Sequence, residues 1–485
     1  MPLSAARHAR PGLLALTIAV LAWRLWVVPH LGISLYVDEA QYWTWARDLA
    51  WGYFSKPPGV AGLIALSTAL FGDGILGVKA LGMLCYPAAA WIVFAIARRL
   101  YDERTAFWSG VAVLTLPMFS FLGLFVSTDA LLTLFWVLGL YAYLNAVDRG
   151  RWRDWLFLGA VCGLGLMSKY TMAAWMLAAL LHLAVFHRRQ LASPRPWIAA
   201  LLALLILAPN IAWNVANDFP TLKHTADITL NKRAGGGFKA LGEFLGAQWI
   251  AFGPVLGSVF LILLASVRRT WRDERLRLLL WFSLPLWAVV SIQAVKSNAN
   301  ANWAAPAFAP AAIAVVAWLL ARHRQRLLAV GLAINLALAA VVYHWPQILA
   351  AASVKEASRK DPFTRARGWD ELGRQLHPLA AAHPDAVLVA DNRTLLAHML
   401  YELRDLAPAA ASWNPDRRKS DHYKLTTDLT PYVGRDALLI TDVAPGPDLT
   451  GRFAAAEHLR QLRAPLDENR ARTMDVYLLH GFKGY

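Results

Sequence analysis

The chain has 485 residues, 57% of them hydrophobic and 16% charged, with a formal net charge of +16. A soluble domain lies near half apolar and a quarter charged, so lipid is the expected solvent for much of this chain. The basic surplus could suggest nucleic acid, but its placement argues against that. There are 29 Lys and Arg against 14 Asp and Glu before Pro346, and 19 against 18 from there on.

Taken in order, most apolar runs are near membrane-spanning length, roughly 20 residues; the two between Trp155 and Phe186 are short and also fit one broken helix plus a partner. Residues 13–28 carry Arg24 as their only charge, and residues 75–97 carry only Lys79. Further runs begin near Ala106, Leu131, Trp155, Met172, Trp197, Leu245, Leu278, Trp303 and Leu327. Short basic clusters separate them at 7–10, 98–104, 149–153, 187–195, 268–277 and 322–326. If all of these face the cytoplasm, the chain forms about 11 transmembrane helices (range 10–13), with the N-terminus inside and the C-terminus outside. The first run has no small-residue cleavage pattern after it and is read as a retained helix. Cys85 and Cys162 lie within apolar runs and read as small core residues.

The expected fold is therefore a polytopic α-helical membrane protein, residues 1–345, followed by a small extracytoplasmic α/β domain, residues 346–485. In the outer segment 32–74, the apolar piece 60–71 is short for a span and reads as an interfacial helix. The tail alternates predicted strands (386–392, 436–442 and a third near the end) with helical pattern, which suggests a small α/β domain.

Charge is costly in a membrane, so its positions inform. Eight acids before Pro346 fall on the outer side: Asp38, Glu39, Asp48, Asp73, Asp129, Asp218, Asp227 and Glu243. Asp38 and Glu39 lie in "YVDEAQYW"; a solvated loop is the plain alternative for such a pair. Asp129 lies in "STDALLTLFW", where Ser127, Thr128 and Asp129 also suit a helix N-cap. Lys56 in "FSKPPG" precedes two prolines that hold the backbone extended, which suits a phosphate at the lipid boundary; simple snorkelling is the alternative. Lys169 in "SKYT" interrupts an apolar run. Lys296 opens "KSNANANW", where Asn298, Asn300, Asn302 and Trp303 could bond to and stack on a sugar, or form a polar turn with a belt tryptophan.

Together, "YVDEAQYW", "SKPPG", "STDALLTLFW", "SKYT" and "NANWAAPA", in this order between helices, resemble the polyprenyl-phosphate-dependent C-type membrane glycosyltransferases of family 39. That family includes the protein O-mannosyltransferases and the bacterial lipid A aminoarabinose transferase. The resemblance implies an enzyme that moves a sugar from a polyprenyl-phosphate donor to a hydroxyl or phosphate of lipid A, lipopolysaccharide core or protein, on the outer face of the membrane. It implies Asp38 as base on the acceptor, Lys56 on the carrier phosphate, Asp129 as a second acid that orients substrate, and Lys169 as a further phosphate contact. Glu39, Lys296, Asn302 and Trp303 are the remaining expected substrate contacts. Some relatives use a divalent cation held by an acid just before the loop lysine; Ser55 stands there in this chain, so a divalent cation stays an alternative with no ligand assigned. Expected partners are the lipid-linked donor, a lipid or protein acceptor and membrane lipids, not nucleic acid. Two other classes fit a polytopic chain with few charges. One is a transporter or flippase, whose site would lie at mid-membrane. The other is a non-enzymatic envelope assembly factor.

Overall fold

In a computed structural model of the chain, residues 8–230, 236–297, 299–354 and 357–485 are described. Each apolar run is helical. The helices of the apolar part include α1 Ala9–His30, α2 Val37–Arg47, α3 Gly59–Phe71, α4 Ile75–Leu100, α5 Glu103–Thr115, α6 Pro117–Leu122, α7 Thr128–Arg149, α8 Trp152–Ser168, α9 Met172–Phe186, α10 Pro194–Ala216, α11 Phe238–Ala251, α12 Pro254–Ala265, α13 Glu274–Trp281, α14 Leu284–Lys296, α15 Phe308–Ala321 and α16 Gln325–Tyr343. A 3-10 helix, Ala301–Ala307, leads into α15. Among the described residues, 7 helical stretches are long and apolar enough to cross a membrane, or 8 if a bent pair counts as one span. This is a multi-pass membrane protein.

Local chemistry explains where single runs break. The run from Ala106 divides at Leu116, which has extended ψ of 127° because Pro117 follows it. The run around Leu245 divides into α11 and α12, bent by 115°. At that bend Gly253 has φ +90°, and a Cβ there would sit 1.9 Å from the Asn335 side chain, so only glycine fits. Segment 60–71, expected to be helical, is α3, with Val60, Ala61, Ile64 and Ser67 buried and Leu66, Leu70 and Phe71 exposed.

The chain divides into two compact units. The first comprises Met1–Val27, Lys56–Gly72 and Gly77–Tyr343; the second comprises Val28–Ser55, Asp73–Leu76 and His344–Tyr485. The first is a helical bundle with one continuous apolar core through α4, α5, α7, α9 and α15. Its two buried cations are those that stood out in the apolar runs. Arg24 donates from Nη2 to the Phe119 carbonyl at 3.2 Å and from Nε to the Tyr343 hydroxyl at 2.8 Å, which in turn donates to the Ser120 carbonyl. Lys79 donates from Nζ to the Leu124 carbonyl at 3.1 Å. Both therefore satisfy carbonyls at and beyond the C-terminus of α6, where cations are favoured. They hold the segment that leads to Asp129.

The second unit is built on a five-stranded sheet of order β2-β1-β3-β5-β4. The strands are β1 Val387–Ala390, β2 Ala410–Ser412, β3 Ala437–Thr441, β4 Phe453–Pro465 and β5 Ala471–Phe482. β1, β2 and β3 are parallel, and β5 runs antiparallel to β3 and β4. Strands β1, β3 and β5 follow the sequence expectation. β4 was not legible, because its edge position leaves most of its side chains exposed and removes the apolar run. Helices α17 Trp369–Ala382 and α18 Arg393–Glu402 flank the sheet.

The segment after α1 is part of this second unit rather than a free loop. Trp43 donates to Asp73 at 2.9 Å and meets Tyr401 edge-on at 5.3 Å. Trp45 stacks on Tyr53 at 4.3 Å and meets His422 edge-on at 5.1 Å. Burial pushes the His422 imidazole down to about 4. A neutral histidine of lowered pKa stabilises the fold fully above its unfolded value of about 6.5. That contribution is lost as pH falls from there toward 4. Two outcomes follow. Trp45→Ala should destabilise the second unit by about 3–5 kcal/mol, read as a lowered thermal transition. The same transition should fall between about pH 6.5 and pH 4, and His422→Phe should reduce that slope.

Candidate active site

Within the first unit, the end of α7 organises the polar residues. Ser127 is the N-cap of α7, and its hydroxyl accepts from the Asp129 amide at 3.3 Å. The cap role read from sequence is thus present, and it belongs to Ser127. This leaves the Asp129 carboxylate free to reach across the bundle. It is 3% exposed as a residue and both its oxygens are engaged. Lys169 Nζ lies 2.6 Å from Oδ1, and Asn302 Nδ2 donates to Oδ2 at 2.7 Å. Three motifs distant in sequence therefore converge on one carboxylate.

Lys169 is the C-cap residue of α8 and is extended, with φ −161° and ψ 132°. The next residue, Tyr170, donates to Asn210 Oδ1 at 2.5 Å and accepts from Asn214 Nδ2 at 3.3 Å. The two asparagines are one turn apart on α10. This second polar cluster was missed, although paired asparagines in an apolar helix were a usable signal.

Lys56 lies in the bend that leads into α3, half-buried. Its loop is fixed against the lysine turn. A Cβ on Gly59 would fall 2.8 Å from the Met167 carbonyl and 2.9 Å from the Ser168 Cα. "SKPPG" and "SKYT" are therefore packed backbone to backbone, and the glycine is what permits the approach. Lys296 closes α14 and is exposed, while Trp303 in the 3-10 helix is half-buried. Asn298 lies outside the described residues.

Asp38 and Glu39 belong to the second unit. Asp38 is the second residue of α2, with its side chain 57% exposed. Arg393, the first residue of α18, places Nη2 2.9 Å from Asp38 Oδ1 and donates from Nη1 to Gln41 Oε1 at 2.6 Å. Arg393 is set there by the turn after β1, where Asn392 caps α18 by accepting from the Thr394 and Leu395 amides. No sequence pattern pointed to Arg393 or Gln41, because their meeting with Asp38 is purely tertiary. Glu39 is buried, and its Oε2 accepts from the Tyr36 amide at 2.9 Å. That bond satisfies an otherwise open donor at the start of α2.

Among the described residues, no group of three or more His, Cys, Asp or Glu side chains is placed to hold a metal ion. Asp129 is engaged by Lys169 and Asn302, and Asp38 by Arg393, a donor set that does not fit a divalent cation.

Residues 55–213 match the family described as dolichyl-phosphate-mannose-protein mannosyltransferase. The chain is 30% identical over 476 residues to the lipid A galacturonosyltransferase RgtD of Rhizobium johnstonii, covering 96% of this chain and 98% of that protein. It is 28% identical over 304 residues to an undecaprenyl phosphate-alpha-4-amino-4-deoxy-L-arabinose arabinosyl transferase of Pseudomonas aeruginosa, covering 54% of this chain and 52% of that one. Its fold is similar to that of ArnT from Cupriavidus metallidurans bound to undecaprenyl phosphate, with a TM-score of 0.67 at 18% identity, over 96% of this chain and 98% of that chain. A transporter and a non-enzymatic assembly factor are thereby set aside. The chain is a glycosyltransferase, and it belongs to the C-type membrane fold of family 39.

Proposed function

We propose that this enzyme transfers a sugar from a polyprenyl-phosphate carrier to lipid A on the outer face of the inner membrane. The observation that carries the reading is the convergence of Lys169 and Asn302 on buried Asp129 beside the Lys56 loop. Carbohydrate chemistry on a lipid-linked phosphate needs fixed cations and an acid at a membrane boundary, and these residues supply them. Lipid A as acceptor is supported by the galacturonosyltransferase that matches along nearly the whole chain. The same relative favours a uronic acid over an amino sugar as the group transferred. The aminoarabinose transferase of P. aeruginosa matches over about half of the chain. The span count of 11 and the outward-facing site remain part of this proposal, supported by the placement of the basic clusters.

In the proposed reaction the acceptor hydroxyl attacks the anomeric carbon as its bond to the carrier phosphate breaks. The carrier leaves as its phosphate, and the hydroxyl proton passes to Asp38. Arg393 occupies Oδ1 of Asp38, so Oδ2 is the oxygen for that proton. A base must lie within hydrogen-bond reach of the proton it takes. Negative charge grows on the departing phosphate oxygen, and the Lys56 ammonium stabilises it there. Asp129 holds Lys169 and Asn302 in place; its own charge is compensated by the lysine.

Three variants test this on the purified enzyme, with lipid A product measured by mass spectrometry. Asp38→Asn keeps shape but takes no proton, so kcat should fall by about 10²–10⁴ with carrier affinity largely retained; near-normal turnover would remove Asp38 as base. Lys56→Ala should weaken carrier binding and also slow turnover, and Lys56→Arg should restore part of both, since a guanidinium places its charge differently. Asp129→Ala should leave the partly buried Lys169 without its carboxylate, at a cost of up to about 3 kcal/mol in stability. Combining it with Lys169→Met should recover stability without activity. A product carrying aminoarabinose in place of a uronic acid would correct the sugar.

A further inference from the structure

The end of α8 opposite Lys169 carries a second feature that the reaction does not use. An apolar cavity of about 220 Å³ lies between α7, α8, α9 and α10, lined by Trp155, Cys162, Trp175, Leu180, Leu191 and Trp197 among others. Trp155 and Trp175 are each at most 1% exposed, yet neither indole Nε1 has a hydrogen-bond acceptor. Buried donors of this kind are normally satisfied. The cavity is therefore apolar, and two of its lining residues carry buried indole donors without an acceptor.

Arginines gather where this cavity reaches the end of the bundle. Arg151 and Arg153 flank Trp152 at the start of α8, Arg188 and Arg189 precede Leu191, and Arg195 lies beside Trp197. Arg195 ties the two loops together, with its guanidinium 5.8 Å from the Trp152 ring and 3.7 Å from the Cβ position of Gly150. Arg151, Arg153, Arg188 and Arg189 are exposed. Among the described residues, none of the five has a carboxylate partner; Asp154 is 3.9 Å from Arg149 and Asp148 is 2.5 Å from Arg99. α8 has 17 residues, so this end is about 25 Å from Lys169 at 1.5 Å per residue.

We infer that this groove is a binding site for an anionic glycerophospholipid, with an acyl chain between α8, α9 and α10 and its phosphate among the arginines. Basic pockets between membrane helices recognise such headgroups. Charge complementarity selects an anionic lipid over a zwitterionic one, because the arginines have no internal counter-ion. The guanidinium fork suits phosphate oxygens in pairs. The buried Trp155 donor, one turn into α8 from the arginine end, suits an ester oxygen at the glycerol level, which a pure hydrocarbon guest would leave unsatisfied. An arginine-rich loop that served only membrane orientation needs no cavity behind it.

The test is native mass spectrometry of the full-length enzyme in detergent, titrated with cardiolipin, phosphatidylglycerol and phosphatidylcholine. The wild type should retain cardiolipin or phosphatidylglycerol in preference to phosphatidylcholine. Arg188→Gln with Arg189→Gln should weaken that binding by roughly 25-fold, taking about fivefold per arginine. Ala200→Phe, which narrows the groove without changing charge, should weaken it as well. A C-terminal phosphatase fusion on the arginine variant checks that orientation is kept, and Ala200→Phe reads the groove independently of orientation. Equal retention of all three lipids would overturn the proposal. So would anionic binding unchanged in both variants, or displacement of the bound lipid by undecaprenyl phosphate at equal concentration.

Discussion

The ion pair between Asp129 and Lys169 is the constraint on which the membrane part of the site depends. Two opposite charges lie 2.6 Å apart with the carboxylate buried, and Asn302 satisfies the second oxygen at 2.7 Å. In a low-dielectric interior neither charge is tolerable alone. The pair therefore fixes the start of α7, the end of α8 and the 3-10 helix to one another. The proposed phosphate-binding loop then inherits its position, because Gly59 rests on the backbone of Ser168 next to Lys169. Arg24 and Lys79 add a second restraint by binding the carbonyls of the segment that delivers Asp129.

The second unit applies a different principle to Asp38. Here the positioning comes from a strand-to-helix turn: β1 ends, Asn392 caps α18, and Arg393 is presented at its first position. The arginine reaches both Asp38 and Gln41, one turn apart on α2. An exposed ion pair alone contributes little to stability. Its value lies in orienting one carboxylate oxygen while leaving the other open. The aromatic packing of Trp43 and Trp45 supplies the stability that the ion pair does not. The C-terminal sheet is thus a holder for the proposed base.

The helix α8 relates two tasks at its two ends. One end presents Lys169 to Asp129, and the other carries the arginines and the apolar cavity. Its glycines allow this close packing: Gly159 approaches the Ala199 backbone, where a Cβ would lie 2.4 Å from the carbonyl. Tight α8–α10 contact beside an open α8–α9 side leaves a groove that the bundle itself does not fill.

The membrane architecture was legible in the sequence because lipid imposes a long-range rule that local composition obeys. Apolar runs of spanning length must be helical, and basic clusters must sit between them. The candidate residues Asp129, Lys169 and Asn302 were legible for the same reason: charge and amide groups are scarce in apolar runs, so each one stands out. The breaks at Pro117 and Gly253 were not read from the sequence, which showed single runs there, although proline and glycine mark both positions. What the tertiary structure decided is partnership. Nothing in local sequence pairs Asp129 with Lys169 and Asn302, assigns the Val28–Ser55 segment to the C-terminal unit, or brings Arg393 to Asp38. Each of these depends on side chains distant along the chain sharing one volume. A residue's type shows that it needs a partner, and only the fold determines which partner it meets.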